Sequence, residues 1–503
     1  MSRQRIMFSP VTRLSGLLSV EVFLEGRWVS EANASATLFR GFEWIMRDRH
    51  VTDAVYLTQR VCGICSTSHG AVASYLLDDL LNNSIPEQGQ YLRNIMFGAD
   101  FLQNHIRHFY LFSLPDFVRM PDHPPFQQQN LADARFDSAT TRQMVAHYFE
   151  GIKASQKCHQ ILAIFGGKAP HQHSFVHGGV SVAPTADKVA TALALLQEVN
   201  DFVQGCMVPD TERIARTYGD YFHIGQTPRR MLSFGLFRFG EKNEQVLWRS
   251  GLLKEQQVTV PQISFIQEEV THSWYECSPE VSRRLGVFPN SDGEGYPGVS
   301  QGSGNDGSCE RHEIIPDPYK RQAYSFVKSV QYAGETYQVG PLARMLINGF
   351  YRGGTSTMDR IYARTLETVL IVEQMKEWLG RLIPGPPPIQ QNREPVKKEV
   401  VAVTDAMRGA LLHRAQVKGE QVSRYDIITP TVWNFSPKDR QGQRGPVESA
   451  LVGTEIPRPD MLFTVLGRIV RSFDPCLNCA THIMDIKNGS PFIRESKMVE
   501  IFG

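Results

Sequence analysis

No apolar run among the 503 residues reaches the roughly 18 residues that a membrane-crossing helix needs, so no membrane span is expected. No block of basic residues occurs, and the formal net charge is +1, so nucleic acid is not an implied partner. No leader of the charged, apolar and small-residue kind precedes Met1-Ser2-Arg3. Internal repeats and low-complexity tracts are also missing. The eight cysteines are few for this length, which argues against a disulfide scaffold. Four of them, Cys158, Cys206, Cys277 and Cys309, stand alone. They read as buried small apolar residues or free thiols and lack the spacing that holds an iron–sulfur cluster. What remains is ordinary globular composition, 42% hydrophobic and 21% charged, in a chain long enough for several subdomains.

The other four cysteines form two short stretches at opposite ends. The first is Arg60-Val61-Cys62-Gly63-Ile64-Cys65, with His69 four residues on. The second is Asp474-Pro475-Cys476-Leu477-Asn478-Cys479, with His482 three residues on. A Cys-x-x-Cys turn puts two sulfurs on one side of a tight loop, and thiolate suits zinc, copper(I), nickel and iron. A four-cysteine structural zinc site is the plain alternative. Against it stand the gap between the pairs, which is nearly the whole chain, and the extra histidines. Each pair is also preceded by a charged residue, Arg60 or Asp474, placed to tune the ligands from behind.

Residues 18–24 alternate and end at Glu25-Gly26, which predicts a strand, a turn and a second strand around Trp28. A helix is expected to start between Phe39 and Met46, and another over 69–82. Leu92, Ile95, Met96, Ala99 and Leu102 share one helical face. So do Val189, Leu193, Leu196, Val199 and Val203, after Pro184 and a capping Thr185. Met358 to Leu379 predicts a long helix that stops at Gly380 and the proline run 384–388. Residues 289–310 and 380–398 read as loops, and 399–404 and 425–429 as short strands. The chain thus reads as mostly helical, with small sheets near the N-terminus and after the proline run.

The stretches RVCGICSTSH and DPCLNCATH resemble the N- and C-terminal motifs of the nickel-iron hydrogenase large subunit. SPVTRLSG, ATLFRGFE, FGGKAPHQHSFVHGGV, YQVGPLARML, AMRGALLH and TPTVWNFSPKD agree with that family, so the resemblance spans nearly the whole chain. It implies a mainly α fold with small α+β lobes, in which a central helical bundle brings the two cysteine motifs together. The expected divisions are an N-terminal α+β lobe over 1–66, a helical bundle over 67–380 and a C-terminal α+β part over 381–482. Residues 483–503 would be an extension removed on maturation, leaving His482 as the last residue.

The resemblance also implies a site. Cys62, Cys65, Cys476 and Cys479 would bind nickel, and Cys65 and Cys479 would bridge to an iron carrying carbon monoxide and cyanide. Cys476 and Cys479 would take part in catalysis with Arg408, whose guanidinium would hang over the open metal position. Its plain alternative is a surface ion pair. Thr431 would donate to a cyanide, or else cap a turn beside Pro430. Glu43 and His482 would hold magnesium or another second metal; the alternative for Glu43 is a solvated helix charge. His69 would hydrogen-bond near a bridging sulfur, or be a satisfied core histidine. Asp474 would belong to the same surroundings. Three residues depart from the family pattern. Ser15 stands where a proton-accepting glutamate is usual, and a hydroxyl does not titrate near neutral pH. Asn104 replaces an aspartate near the arginine, and Met407 a proline.

The implied activity is heterolytic cleavage of dihydrogen to protons and electrons, reversible in principle. Electrons would leave through a small subunit carrying iron–sulfur clusters. A maturation protease and nickel-insertion factors would act on the chain. The expected location is periplasmic or membrane-associated through the partner, with cytoplasmic as the alternative. A hydrogen sensor with the same site, and a non-catalytic structural subunit like the homologous subunit of respiratory complex I, are the competing readings. The latter relative lacks the cysteine pairs that this chain keeps.

Overall fold

The computed structural model describes residues 3–123, 126, 131–278 and 313–480. Alternating burial makes Leu18–Glu25 a strand with Leu18, Val20, Val22 and Leu24 on its inner face. It pairs antiparallel with Arg3–Phe8 on one side and Trp28–Ala36 on the other. After it comes only a one-turn helix, Phe42–Ile45, within the expected 39–46 window.

The helices that follow are buried nearly all round. In Ser66–Leu80 only Asp79 escapes burial, and Glu87–Arg107 is buried from Gly89 to Ile106. Such helices form the centre of a domain rather than its surface. Glu87–Arg107 packs against both Ser138–Gly166 and Thr357–Gly380. The last of these starts with a reciprocal cap in which Ser356 accepts from Asp359 N–H and the Asp359 carboxylate accepts from Ser356 N–H. Ala186–Phe202 starts at the expected place. Thr185 takes the N-cap position there in extended backbone, yet its side chain caps nothing.

The C-terminal part carries the three antiparallel strands Glu399–Ala406, Gly409–Lys418 and Gln421–Ile428. Ala406 pairs with Gly409, so Met407 and Arg408 form a two-residue hairpin tip. Gly409 has φ +122, and a Cβ there would lie 2.5 Å from Gly340 N, so only glycine allows this approach. Short strands also fill the stretch between the helices, including Arg230–Ser233, Gly251–Lys254, Ile266–Glu269 and Ser329–Tyr332. The expectation of a mainly α chain, with small sheets only near the N-terminus and after the proline run, is therefore too narrow. With 43% helix and 22% strand the architecture is mixed. The expected loop 289–310 lies outside the described residues.

Two apolar cores organise these elements. One surrounds the long helices and includes Cys62, Cys65 and Cys476. The other joins Leu18, Val20, Val22 and Val29 to Trp433, Leu466, Ile469, Val470 and Leu477. The two ends of the chain thus share one core, which is what brings the cysteine motifs into register.

Charged side chains are buried inside this framework. Arg344 forks onto Glu367 at 2.6 and 2.7 Å and reaches Asp405 at 3.1 Å, while His105 Nε2 lies 2.7 Å from Glu367. Burial alone would raise the Glu367 pKa, but Arg344 and His105 pull it down to about 2, below its ordinary 4.5. The stability that this shift contributes is present above pH 4.5 and is lost as pH falls towards 2. Glu367→Gln is expected to cost about 1–3 kcal/mol at pH 7 in urea unfolding, because it leaves the buried Arg344 with Asp405 as its remaining carboxylate. The difference from wild type should shrink as pH falls from 4.5 to about 2. Equal stability at pH 7 would show that the network contributes nothing.

Candidate metal centre

The first cysteine pair sits where a tight turn enters a helix. Cys62 is extended at the end of the 3₁₀ turn Thr58–Val61, and Cys65 is the N-cap of Ser66–Leu80. Ile64 N–H donates to Cys62 Sγ at 3.3 Å. The first turn of a helix favours negative charge, so it is a natural place for a thiolate.

The second pair approaches from the other end. Asp474 adopts a left-handed φ of 54°, which turns the chain into Cys476 and the short helix Leu477–Ala480. Cys62 Sγ and Cys476 Sγ lie 3.3 Å apart, although 414 positions separate them. The sulfurs of Cys62, Cys65 and Cys476 all lie within 4.8 Å of one another and are 2%, 4% and 0% exposed. Three converging, buried soft donors fit a thiophilic transition metal. The Cys479 side chain and His482 lie outside the described residues.

Two elements hold the pairs together. Arg40, from the ATLFRGFE stretch, donates to the carbonyls of Val61 and Arg60 at 2.6 and 2.9 Å and to that of Asn478 at 3.4 Å. It ties both motifs to one guanidinium. The segment around Ser15 lies alongside Cys476 in a parallel bridge. Leu477 N–H donates to the Ser15 carbonyl at 2.7 Å, and Asn478 Nδ2 donates to the Ser15 hydroxyl at 3.1 Å. Arg13 anchors this segment through Phe112 O at 2.8 Å and Asp116 at 2.5 Å. The serine therefore stands directly against the second motif.

Arg408, at its hairpin tip, lies in the same pocket. Its Nε donates to Asp474 O at 2.7 Å, and its Nη2 to Asp474 Oδ1 and Asn104 Oδ1 at 2.9 Å each. Its Nη1 is buried with no hydrogen-bond partner. Burial lowers the Arg408 pKa, but Asp474 and the sulfurs of Cys476, Cys65 and Cys62 outweigh it and raise it above the ordinary value. A cation with a spare donor beside three thiols is what an anionic metal–thiolate group would need, so the residues present fit one. The surface-ion-pair alternative for Arg408 does not hold, since both partners are buried.

Asp474 is surrounded by donors. Besides Arg408 it faces Arg364 Nη1 at 3.3 Å and Asn104 Nδ2 at 2.8 Å. Burial raises its pKa, and Arg408, His108, Arg364 and Asn104 more than reverse this, holding it well below the usual carboxylate range. Asn104 donates to Asp474 while accepting from Arg408, which an ionised aspartate, an acceptor only, could not do.

The remaining expected residues have definite surroundings. Thr431 Oγ1 accepts from Cys476 N–H at 3.1 Å, so it braces the second motif, and it lies within the helix Pro430–Asn434 rather than capping it. His69 Nδ1 lies 3.1 Å from His413 Nε2, and His413 Nδ1 lies 2.8 Å from the Tyr425 hydroxyl. Glu43 accepts from Ile427 N–H at 2.9 Å and lies 3.5 Å from Lys328 Nζ, which also meets Glu268 at 3.4 Å. It is a partly buried, paired carboxylate and not a solvated helix charge. Sequence reasoning missed Arg40, Arg364, His105, Glu367 and Asp100. Arg40 alone had a signal, its place inside a stretch already singled out.

A nickel-dependent hydrogenase family model matches residues 40–132, 125–354 and 350–482. The periplasmic [NiFeSe] hydrogenase large subunit of Desulfomicrobium baculatum is 32% identical over 523 residues, covering 97% of each chain. The hydrogenase-2 large chain of Escherichia coli (strain K12) is 27% identical over 579 residues, covering 96% of this chain and 98% of its own. Among solved structures, the reduced Ni-Fe-Se hydrogenase from D. vulgaris Hildenborough superimposes with a TM-score of 0.86 at 32% identity. It covers 96% of this chain and 100% of its own.

The contact between the N-terminal segment and the second motif is tight enough to test. Gly16 has φ +93, and a Cβ there would lie 2.8 Å from Asn478 N and 2.9 Å from Leu477 Cβ. Gly16→Ala is expected to store about 1–3 kcal/mol of strain. Purified protein should then retain clearly less metal per chain than wild type by elemental analysis. Unchanged metal retention would show that this approach does not shape the site.

Proposed function

The chain belongs to the nickel-dependent hydrogenase family as a large subunit acting on dihydrogen, and from that premise we propose how its own residues serve the reaction. The convergence of three buried thiols from opposite ends of the chain carries this reading. Cys62, Cys65, Cys476 and Cys479 would hold nickel together with an iron that carries carbon monoxide and cyanide. The bound pair supplies the Lewis acid and the redox change that heterolytic cleavage of dihydrogen requires.

The protein supplies position and charge. A terminal cysteine sulfur, from Cys476 or Cys62, serves as the base that takes one proton from dihydrogen. Arg408 interacts with the sulfurs of Cys476, Cys65 and Cys62 and keeps Nη1 unpartnered, so a fixed cation steadies negative charge there without reorganising. Asp474 holds that guanidinium at two points and Asn104 at a third. Thr431 braces the backbone of Cys476 and keeps its own hydroxyl proton to donate onwards, which suits a cyanide nitrogen. Burial of all three thiols keeps bulk water from the reacting atoms.

Two D. vulgaris and D. baculatum relatives carry selenium in their names. This chain has cysteine at all four motif positions, so its donors are sulfur. Glu43 and Glu268, which share Lys328, offer the hard oxygens that magnesium prefers, and His482 would be the further ligand of that second site. Electrons pass to a small subunit carrying iron–sulfur clusters, since the cysteines outside the two motifs have no cluster spacing. A protease and nickel-insertion factors complete maturation, with cleavage after His482. The D. baculatum relative is periplasmic, and we assign the same compartment here. No helix among the described residues is long and apolar enough to cross a membrane.

Elemental analysis and infrared spectroscopy of the purified enzyme test the reading. Expected are about one nickel and one iron at the four-cysteine site, no selenium, and stretching bands of carbon monoxide and cyanide. Zinc alone, without those bands, would return the site to a structural role.

A further inference from the structure

A proton released among the thiols has to leave a site that is closed to solvent. Most polar groups around it are unsuited to carry one. Asp474 is locked as a carboxylate by its cations. His105 and His108 are held neutral, their pKa values pushed down to about 4 and about 3 by burial. Asn104 is an amide and Ser15 a hydroxyl, which can relay but not store a proton near pH 7. His69 leads to His413 and ends at Tyr425, a buried phenol whose pKa burial raises above its ordinary value.

One buried carboxyl is different. Asp100 lies one helical turn before Asn104 on Glu87–Arg107 and is 2% exposed. It forms no ion pair among the described residues. Its Oδ1 accepts from Gln103 Nε2 at 3.1 Å, and its Oδ2 is buried with no hydrogen-bond partner. Gln103 joins it to both sides of the site. The same Nε2 donates to the carbonyl of Ile64, between the first two cysteines, at 3.1 Å. Gln103 Oε1 accepts from Arg107 Nη1 at 2.9 Å, and Arg107 is part-exposed. Thr67, two residues after Cys65, carries a buried hydroxyl that also lacks a partner and acts on the Asp100 carboxyl.

We propose that Asp100 is the carboxyl that takes up the proton released at the cysteine cluster and passes it outward past Gln103 and Arg107. The inference rests on the hydrogenase reading above. An S–H bond at a site cysteine breaks and an O–H bond forms at Asp100 Oδ2. Thr67 can stand between, giving its hydroxyl proton to Asp100 as it takes one from the sulfur. Water then removes the proton and restores the carboxylate, and no electron moves in either step. The groups facing Asp100 are Gln103 and Arg107 on its own helix, Thr67 on Ser66–Leu80 and Arg408 at the hairpin tip. His159, on Ser138–Gly166, faces Arg107. Burial raises the Asp100 pKa to about 7, with Gln103, Arg408, Thr67 and Arg107 pulling against it, so the group can both accept and release a proton near neutrality.

The test compares Asp100→Asn and Asp100→Glu with wild type, each as purified enzyme with its partner subunit. Nickel content and the carbon monoxide and cyanide bands come first; their absence from wild type would overturn the hydrogenase reading and this inference with it. In loaded protein, infrared titration should show a carboxylic-acid band of wild type with a midpoint near 7, missing from Asp100→Asn. Exchange between deuterium gas and water should fall about a hundredfold in Asp100→Asn and recover in large part, with a moved pH midpoint, in Asp100→Glu. Unchanged exchange and pH profile in loaded Asp100→Asn would overturn the proposal. If Asp100→Asn does not load metal, Asp100→Glu decides, and a pH profile identical to wild type would overturn it.

Discussion

Everything distinctive in this protein depends on a contact between residues 414 positions apart, the approach of Cys62 and Cys476 sulfurs to 3.3 Å. Closing so long a segment is less costly than it sounds. Loop-closure entropy grows with the logarithm of length, so about 400 residues cost only about 3 kcal/mol more than about 20. The shared core of N-terminal strands and C-terminal helices can offset that sum with a few buried side chains. Because the ends meet in the core, the three thiols come together only when the whole chain has folded.

The second constraint is charge. Arg408, Arg364, Arg344, Asp474, Glu367 and Asp405 are all buried. Buried ions are tolerated only when paired and fully hydrogen-bonded. Here each carboxylate holds cations, and the exceptions are informative. Arg408 keeps one nitrogen free beside the thiols, and Asp100 keeps one oxygen free behind the first motif. Unsatisfied polar atoms in a core cost stability, and these two lie where the proposed function needs charge or protons to be handled. Asn104 shifts the balance further. As a neutral amide it leaves Asp474 as the carboxylate facing both Arg408 and Arg364, so the pocket over the sulfurs is net cationic.

Much of this was readable from the residues. Cys62, Cys65 and Cys476 converge as expected, and the helices around Leu92, Val189 and Met358 lie where apolar spacing put them. Ser138–Gly166 escaped notice for a physical reason. The middle of its buried face is small, with Gly151, Ala154, Ser155 and Cys158 parting Met144 from Ile161, Leu162 and Phe165, so its stripe of large apolar residues is interrupted. The strand Gly409–Lys418 was missed because it is central in its sheet and buried on both faces, which hides the alternation. The four-residue strands between 230 and 332 are too short to show a period. Arg364 and Asp100 could not be found locally at all, since their importance comes from what folding places beside them, whereas Arg40 lay inside a stretch already singled out. Thr185 shows the opposite error, a residue of the right type at a helix start whose side chain makes no cap.

The claim that both ends of the chain clasp a single centre is tested most directly by X-ray absorption at the nickel edge. The account predicts about four sulfur neighbours in wild type, and about one fewer in Cys62→Ser and in Cys476→Ser alike. A sulfur count that drops with one substitution and ignores the other would contradict it, because the metal would then belong to one end of the chain alone.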